Sequence, residues 1–249
     1  MFNDYIKIKD KKIPQTSLGT APFIGMPYFG HRARLYQLDF HNSSENILKI
    51  MKKSHEMGVQ AIQLIPEEPV IRALKLAQDE GIKFDIWGTV RKDNLEEDIQ
   101  LLSSLEVSIM LLDEWVTDKS DIDFIEESLN KINDENVISG IITALPKETT
   151  PKLIDSDIKD LFDIYMIPVN KLGYMMDYPV FMHEERAELA KLLKKLNKVI
   201  IANKILAVGI LNPEEAIDFL KTLEYVDMVT MGVASEKEAE ETFNLLFNK

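Results

Sequence analysis
The chain has 249 residues, 45% hydrophobic and 29% charged, with 29 Lys and Arg against 42 Asp and Glu, a formal net charge of −13. That balance argues against nucleic acid and anionic membrane surfaces as partners, because both need clustered cations. The absence of cysteine excludes disulfides, thiolate catalysis and Cys-ligated metal centres.

The start of the chain, MFNDYIKIKDKK, has no apolar core of the kind a secretory signal needs, and no apolar run reaches the roughly 18 residues of a membrane helix. The expected compartment is therefore the cytoplasm. Tyr5-Ile6-Lys7-Ile8 alternates polar and apolar, residues 9–12 make a polar turn, and Ile13-Pro14 leads onward. Residues 1–14 thus read as a β-hairpin, either plugging the bottom of a barrel or serving as an ordinary strand pair.

From there two hydrophobic periods alternate. Nearly continuous apolar runs at 17–24, 61–65, 84–90, 108–112, 138–144, 164–169, 199–207 and 228–231 have the character of strands covered on both faces. Amphipathic stretches lie between them at 43–57, 68–80, 95–105, 123–132, 150–162, 183–196, 212–223 and 235–247. In the first, Ile47, Ile50, Met51 and Ser54 share a stripe; in the second, Val70, Ile71, Leu74 and Ala77 do. Asn42 or Ser43 can cap the first helix, Asn212-Pro213 opens another, and Ser235 with Glu238 fits a capping box. Gly58 and Gly81 stand where helices end, since glycine enters the left-handed region freely. Eight strand–helix units fill about 250 residues as a single (β/α)8 TIM barrel, an α/β fold, over 1–249 with the hairpin at its bottom; an open doubly wound sheet is the runner-up.

The stretch 6–20, IKIKDKKIPQTSLGT, resembles the N-terminal hairpin and first strand of the aldo-keto reductases. Gly58-Val59-Gln60-Ala61-Ile62, Ser108-Ile109-Met110-Leu111-Leu112, VIIANKILAVG at 199–209 and Gly232-Val233-Ala234-Ser235 are similar to later segments of that family. The resemblance implies the barrel. It also implies an Asp–Tyr–Lys–His tetrad and a nicotinamide cofactor, but the matching positions differ. The Asp position is Gln63, and no Tyr stands in 65–69. The Lys position falls at Val90 beside Arg91, and the His position at Asp113. The amide-holding Ser-Asn pair becomes Thr143-Ala144, and the stacking aromatic becomes Asn203. Standard carbonyl reduction is expected to be absent, and NAD(P)H, though a candidate cofactor, is not favoured.

In such barrels the site lies at the C-terminal ends of the strands. Asp113 continues the alternation of Ile109 and Leu111 and can serve as a general base or hold a hard cation; a solvated loop acid is the plain alternative. Lys204 stands inside an apolar run, either as a nucleophile that forms a Schiff base or as a structural ion-pair partner. Both are taken as catalytic candidates. His31 and Arg32, in a long loop over 25–34, with Gln63, Thr89, Arg91 and Thr143, are substrate-binding candidates. Gly209, Gly232 and Ser235 are candidates to hold a phosphate at a helix N-terminus. The loop 170–181 can cover the pocket or mediate a subunit contact, so a homo-oligomer is one expectation. His31, His41, His55 and His183 show no metal-ligand spacing. These residues suggest an enzyme of lyase or isomerase type acting on a small carbonyl, carboxylate or phosphorylated metabolite. The alternatives are an NAD(P)H-dependent oxidoreductase with relocated groups, or a non-catalytic binding protein.

Overall fold
In the computed structural model, which describes residues 1–248, a two-stranded hairpin precedes a closed barrel of eight parallel strands. The hairpin pairs β1 (Tyr5–Ile8) with β2 (Lys11–Pro14) antiparallel, Ile6 opposite Ile13. The barrel strands are β3 (Thr16–Gly19), β4 (Ala61–Leu64), β5 (Asp85–Val90), β6 (Ile109–Leu112), β7 (Ile138–Ile142), β8 (Ile164–Pro168), β9 (Val199–Asn203) and β10 (Met228–Gly232). They pair in sequence order, and β10 closes on β3 with Thr230 beside Ser17.

Side chains alternate across each strand, so one set fills the barrel and the other meets the helices. Ala61, Trp87, Ile109, Leu111, Ile138, Ile164, Met166, Ile201 and Met228 form the inner core. Their neighbours Ile62, Ile86, Met110, Ile141, Tyr165, Ile200 and Val229 belong to the larger core under the helices. Ile8 and Ile13 join the inner core, 5% and 1% exposed, so the hairpin does stopper the end at which the barrel strands begin.

The helices are α1 (His31–Phe40), α2 (Ser44–Glu56), α3 (Glu68–Asp79), α4 (Leu95–Ser104), α5 (Glu114–Lys119), α6 (Ile122–Asp134), α7 (Pro146–Ile154), α8 (His183–Leu196), α9 (Pro213–Leu220) and α10 (Glu236–Phe247). Ser43, Asn212 and Ser235 cap α2, α9 and α10 through their side-chain oxygens, as their positions suggested. The structure differs from the sequence reading in several places; the run 199–207, for one, is strand only to Asn203, and α5 falls where no helix was expected. The run 17–24 is strand only to Gly19; Pro22, lacking an N–H for the ladder, turns the rest into a 3₁₀ helix, Ala21–Ile24. The last four residues of the supposed long loop over 25–34 are the start of α1, and Pro27–Phe29 within it is a 3₁₀ turn. The helical stretch expected at 150–162 begins earlier, at Pro146, and after Ile154 gives way to a 3₁₀ segment, Asp157–Leu161. Among the described residues no helix is long and apolar enough to cross a membrane.

Candidate functional site
The alternation that builds the inner core also builds a site. Continued one step toward the strand ends, the inward positions become Gly19, Gln63, Thr89, Asp113, Ile142, Met166, Asn203 and Thr230. All eight line a single cavity of about 450 Å³ at the C-terminal mouth. Below this layer the inward residues are almost wholly apolar; in it, five of the eight strands supply a polar group.

Gln63 and Thr89 are both buried, and the Gln63 amide nitrogen donates to Thr89 Oγ1 at 2.6 Å. The inward residue of β5 is therefore Thr89. Val90, where the family resemblance put a lysine, packs outward in the helix-side core. Asp113 follows β6 and caps α5, accepting from the Trp115 N–H at 2.8 Å. Burial raises its carboxyl to about 6, with the neighbouring Glu114 carboxylate adding to the shift and the Trp115 N–H, Lys204 and Arg91 opposing it.

Lys204 directly follows β9 in the left-handed region, φ 53°, where a lysine side chain is rarely found. The turn brings both Asn203 and Lys204 to the cavity wall. The Lys204 Nζ donates to Glu114 Oε2 at 2.8 Å, and the two side chains are only 7% and 20% exposed. The same ammonium lies 5.4 Å from the ring centre of Tyr28, close enough for attraction to the π face. Burial, with Glu114 and Asp113 nearby, drives the Tyr28 phenol far above its ordinary range, so it stays a hydrogen-bond donor.

Tyr28 comes from a short 3₁₀ turn, Pro27–Phe29, set between Gly25 and Gly30 at φ 59° and 61°. That turn and α1 fold over the mouth, bringing Met26, Tyr28, Phe29, Arg32 and Tyr36 to the cavity. A Cβ on Gly209 would overlap the Arg32 guanidinium, so glycine there leaves room for the arginine to lie against the loop after β9.

The sequence candidates separate by place. Asp113, Lys204, Gln63, Thr89, Arg32, Gly209 and Gly232 meet in the cavity wall. His31 is exposed on the first turn of α1 and is not among the lining residues. Arg91 turns away from the mouth: its guanidinium binds both carboxylate oxygens of buried Asp98 at 2.8 and 2.9 Å and also pairs with Glu67. Thr143, one step past inward-facing Ile142, donates to Asp118, which also accepts the Ala144 N–H. Ser235 caps α10 by accepting from the Glu238 N–H at 3.1 Å, while the Glu238 carboxylate accepts the Ala234 N–H at 2.8 Å. Glu238 and Glu241, on the first turns of α10, line the same end of the cavity.

Tyr28, Asn203 and Thr230 were not among the sequence candidates, and Glu114, expected to face away because it adjoins Asp113, reaches the cavity as well. Strict alternation from Ile201 and Met228 points to Asn203 and Thr230. Tyr28 carries no comparable signal, because it reaches the cavity through a turn rather than a strand. No group of three His, Asp or Glu among the described residues is arranged to hold a metal ion.

No protein-family model matches the sequence, and no curated protein matches it. Solved structures do. An aldo-keto reductase enzyme, MGS-M4, from a Medee basin deep-sea metagenome library is 12% identical and has a TM-score of 0.65, covering 97% of this chain and 89% of that one. An aldo/keto reductase from Brucella melitensis is 15% identical with a TM-score of 0.62, covering 97% and 92%. A mutant of Gox0644 in complex with NADPH is 13% identical with a TM-score of 0.62, covering 97% and 87%. The chain is thus an aldo-keto reductase-like (β/α)8 barrel. At these identities the likeness describes the fold, and the chemistry has to be argued from the cavity.

Proposed function
We propose that the protein is an enzyme that moves a proton on a small carbonyl compound held in the barrel mouth, an isomerase or lyase type of reaction. The observation that carries this reading is the pairing, in one cavity, of Asp113 raised to about 6 with the ammonium of Lys204. A carboxyl with that proton affinity is mostly ionised at neutral pH yet more basic than an ordinary aspartate, which suits a general base. Asp113 removes a proton from the carbon beside the carbonyl. Negative charge then develops on the carbonyl oxygen, and Lys204 and the Tyr28 hydroxyl, both donors, can stabilise it. The Lys204 Nζ is engaged in its ion pair with Glu114, which favours this electrostatic role over attack on the carbonyl. The pocket wall from Ile142 and Met166 is apolar and strengthens these charge interactions by excluding water.

The test is proton exchange in D2O, followed by NMR, with a panel of hydroxyketones, aldoses, keto acids and their phosphates. Deuterium should enter beside the carbonyl of at least one compound, and Asp113→Asn should abolish this while leaving the compound's thermal stabilisation of the protein in place. Binding without exchange across the panel would refute the reading.

A hydride-transfer reading is favoured by one finding, that a structural neighbour holds NADPH. A thermal shift with NADPH and consumption of its 340 nm absorbance in the presence of an aldehyde would support it.

A further inference from the structure
The groups that line the cavity floor are scarcely open to solvent. The Lys204 side chain is 7% exposed, and Thr89 and Met166 are each 1% exposed. A compound cannot meet them until part of the wall moves. The floor is barrel strand, paired on both sides, and a strand cannot lift without breaking its ladders. The loop after β9 is anchored by buried Ile205, Ala207 and Leu211. The turn Pro27–Phe29 has no such anchor. None of its three residues is fully buried, and its backbone hydrogen bonds close within the turn, from the Phe29 N–H to the Met26 carbonyl at 3.1 Å and from the Gly30 N–H to the Pro27 carbonyl at 3.0 Å. Side-chain contacts hold it down: the Tyr28 ring on the Lys204 ammonium, and the Phe29 ring edge-on to Tyr36 at 5.2 Å.

The two ends of the turn differ. Gly25 is packed so tightly against α1 that a Cβ there would fall 2.6 Å from the Ala33 carbonyl oxygen and from the Gln37 Cγ. That end is pinned. Gly30 has φ 61° and ψ −129°, a combination open essentially to glycine alone. Among the described residues, nothing beyond its chain neighbours lies within 4 Å of where its Cβ would stand. That end has both the backbone freedom and the space to pivot.

We propose that residues 26–30 are a lid, pinned at Gly25 and pivoting at Gly30, whose lifting takes Tyr28 off Lys204 and opens the way to the polar layer. Closure returns the Tyr28 hydroxyl to the ammonium, so the two donors come together only over a trapped compound. That role of the closed state rests on the proton-transfer reading; the motion does not. The test exploits the absence of cysteine. Met166→Cys places the chain's one thiol on the cavity wall, and its rate of reaction with dithiodipyridine reads how often the cavity opens. It should react far more slowly than free cysteine. Gly30→Ala strains the closed turn without a steric clash and should speed the reaction about tenfold. Gly81→Ala is the matched control: Gly81 also has a positive φ, 83°, and open space around its Cβ position, but it stands just beyond α3. It should leave the rate unchanged. In the chain without the cysteine, Gly30→Ala should speed amide hydrogen exchange at Phe29 by a similar factor and leave α2 unchanged. Equal rates for the two alanine variants, a thiol that reacts as fast as free cysteine, or a urea dependence matching that of global unfolding overturns the lid. Labelling needs no substrate. A lid without proton exchange therefore refutes the function alone, and exchange with a labelling rate indifferent to Gly30 refutes the lid alone.

Discussion

Lys204 and Glu114 lie ninety positions apart in the chain and meet at 2.8 Å across the mouth of the barrel, one at the end of β9 and the other at the start of α5. Each is mostly buried, so each depends on the other for its charge to be tolerated. Removing one partner of such a pair leaves an uncompensated buried charge, which costs about 3–5 kcal/mol. Lys204→Met should therefore lower the stability in urea unfolding by about 3 kcal/mol, nearer the lower bound because Glu114 keeps some contact with solvent. The double variant Lys204→Met with Glu114→Leu should recover most of that loss. Equal losses in the single and double variants would mean that the two charges do not depend on each other.

Asp113 gives the stability a pH dependence of defined sign. Its folded carboxyl, at about 6, holds a proton more tightly than an unfolded aspartate, near 3.8. Below about pH 4 both states are protonated and the group makes no difference. Between about pH 4 and 6 the unfolded chain ionises first, so the folded state loses stability as pH rises, by about 2–3 kcal/mol for a shift of this size. Above that window the loss is complete and constant. Asp85, Asp118 and Asp227 are raised by burial in the same direction, so the comparison has to be made against Asp113→Asn. The stability of the wild type minus that of the variant should fall across this window and then level. A flat difference would show that Asp113 is not desolvated.

The barrel was legible in the sequence because its strands are short apolar runs and its helices carry clear stripes. Asp113 was legible as well, since alternation from Ile109 and Leu111 carries directly to it. The same rule reaches Thr230 and Asn203, and it separates inward Thr89 from outward Val90. What local pattern could not show is what lies across the barrel. Lys204 was conspicuous, but Glu114 as its partner depends on tertiary closure. Helix α1 escaped notice for a different reason: it buries little beyond Ala33 and Phe40 and leaves Leu35 and Leu38 exposed, so it has no stripe to detect.

Arg91 shows how a plausible site residue is drawn elsewhere. Its Nε and Nη2 grip the two oxygens of Asp98, which is 1% exposed, and the Arg91 backbone N–H donates to the same carboxylate at 2.8 Å. This clamp ties the end of β5 to α4. Arg91→Ala should destabilise the protein by about 3 kcal/mol by stranding Asp98. Arg91→Lys should recover little, because an ammonium cannot reproduce the planar two-point contact. Neither variant should alter ligand affinity measured by calorimetry below the unfolding transition; a tenfold loss of affinity would return Arg91 to the site.

The hairpin at the opposite end makes a prediction about the barrel as a whole. Ile13 is 1% exposed and packs with Ile8 into the inner core formed by Trp87, Ile109 and Met228. Ile13→Ala removes buried methyl groups, and the walls around it are strands fixed by hydrogen bonds on both sides, so they cannot close the gap. The expected cost is toward the upper part of the usual range for such substitutions, about 3–4 kcal/mol. Ile6→Ala, at a half-buried position on the same strand pair, should cost about 1 kcal/mol or less. Because the cavity lies at the other mouth, ligand binding by the folded Ile13→Ala protein should match the wild type. Stability changes of equal size at the two positions would mean that the hairpin covers the barrel without sealing it.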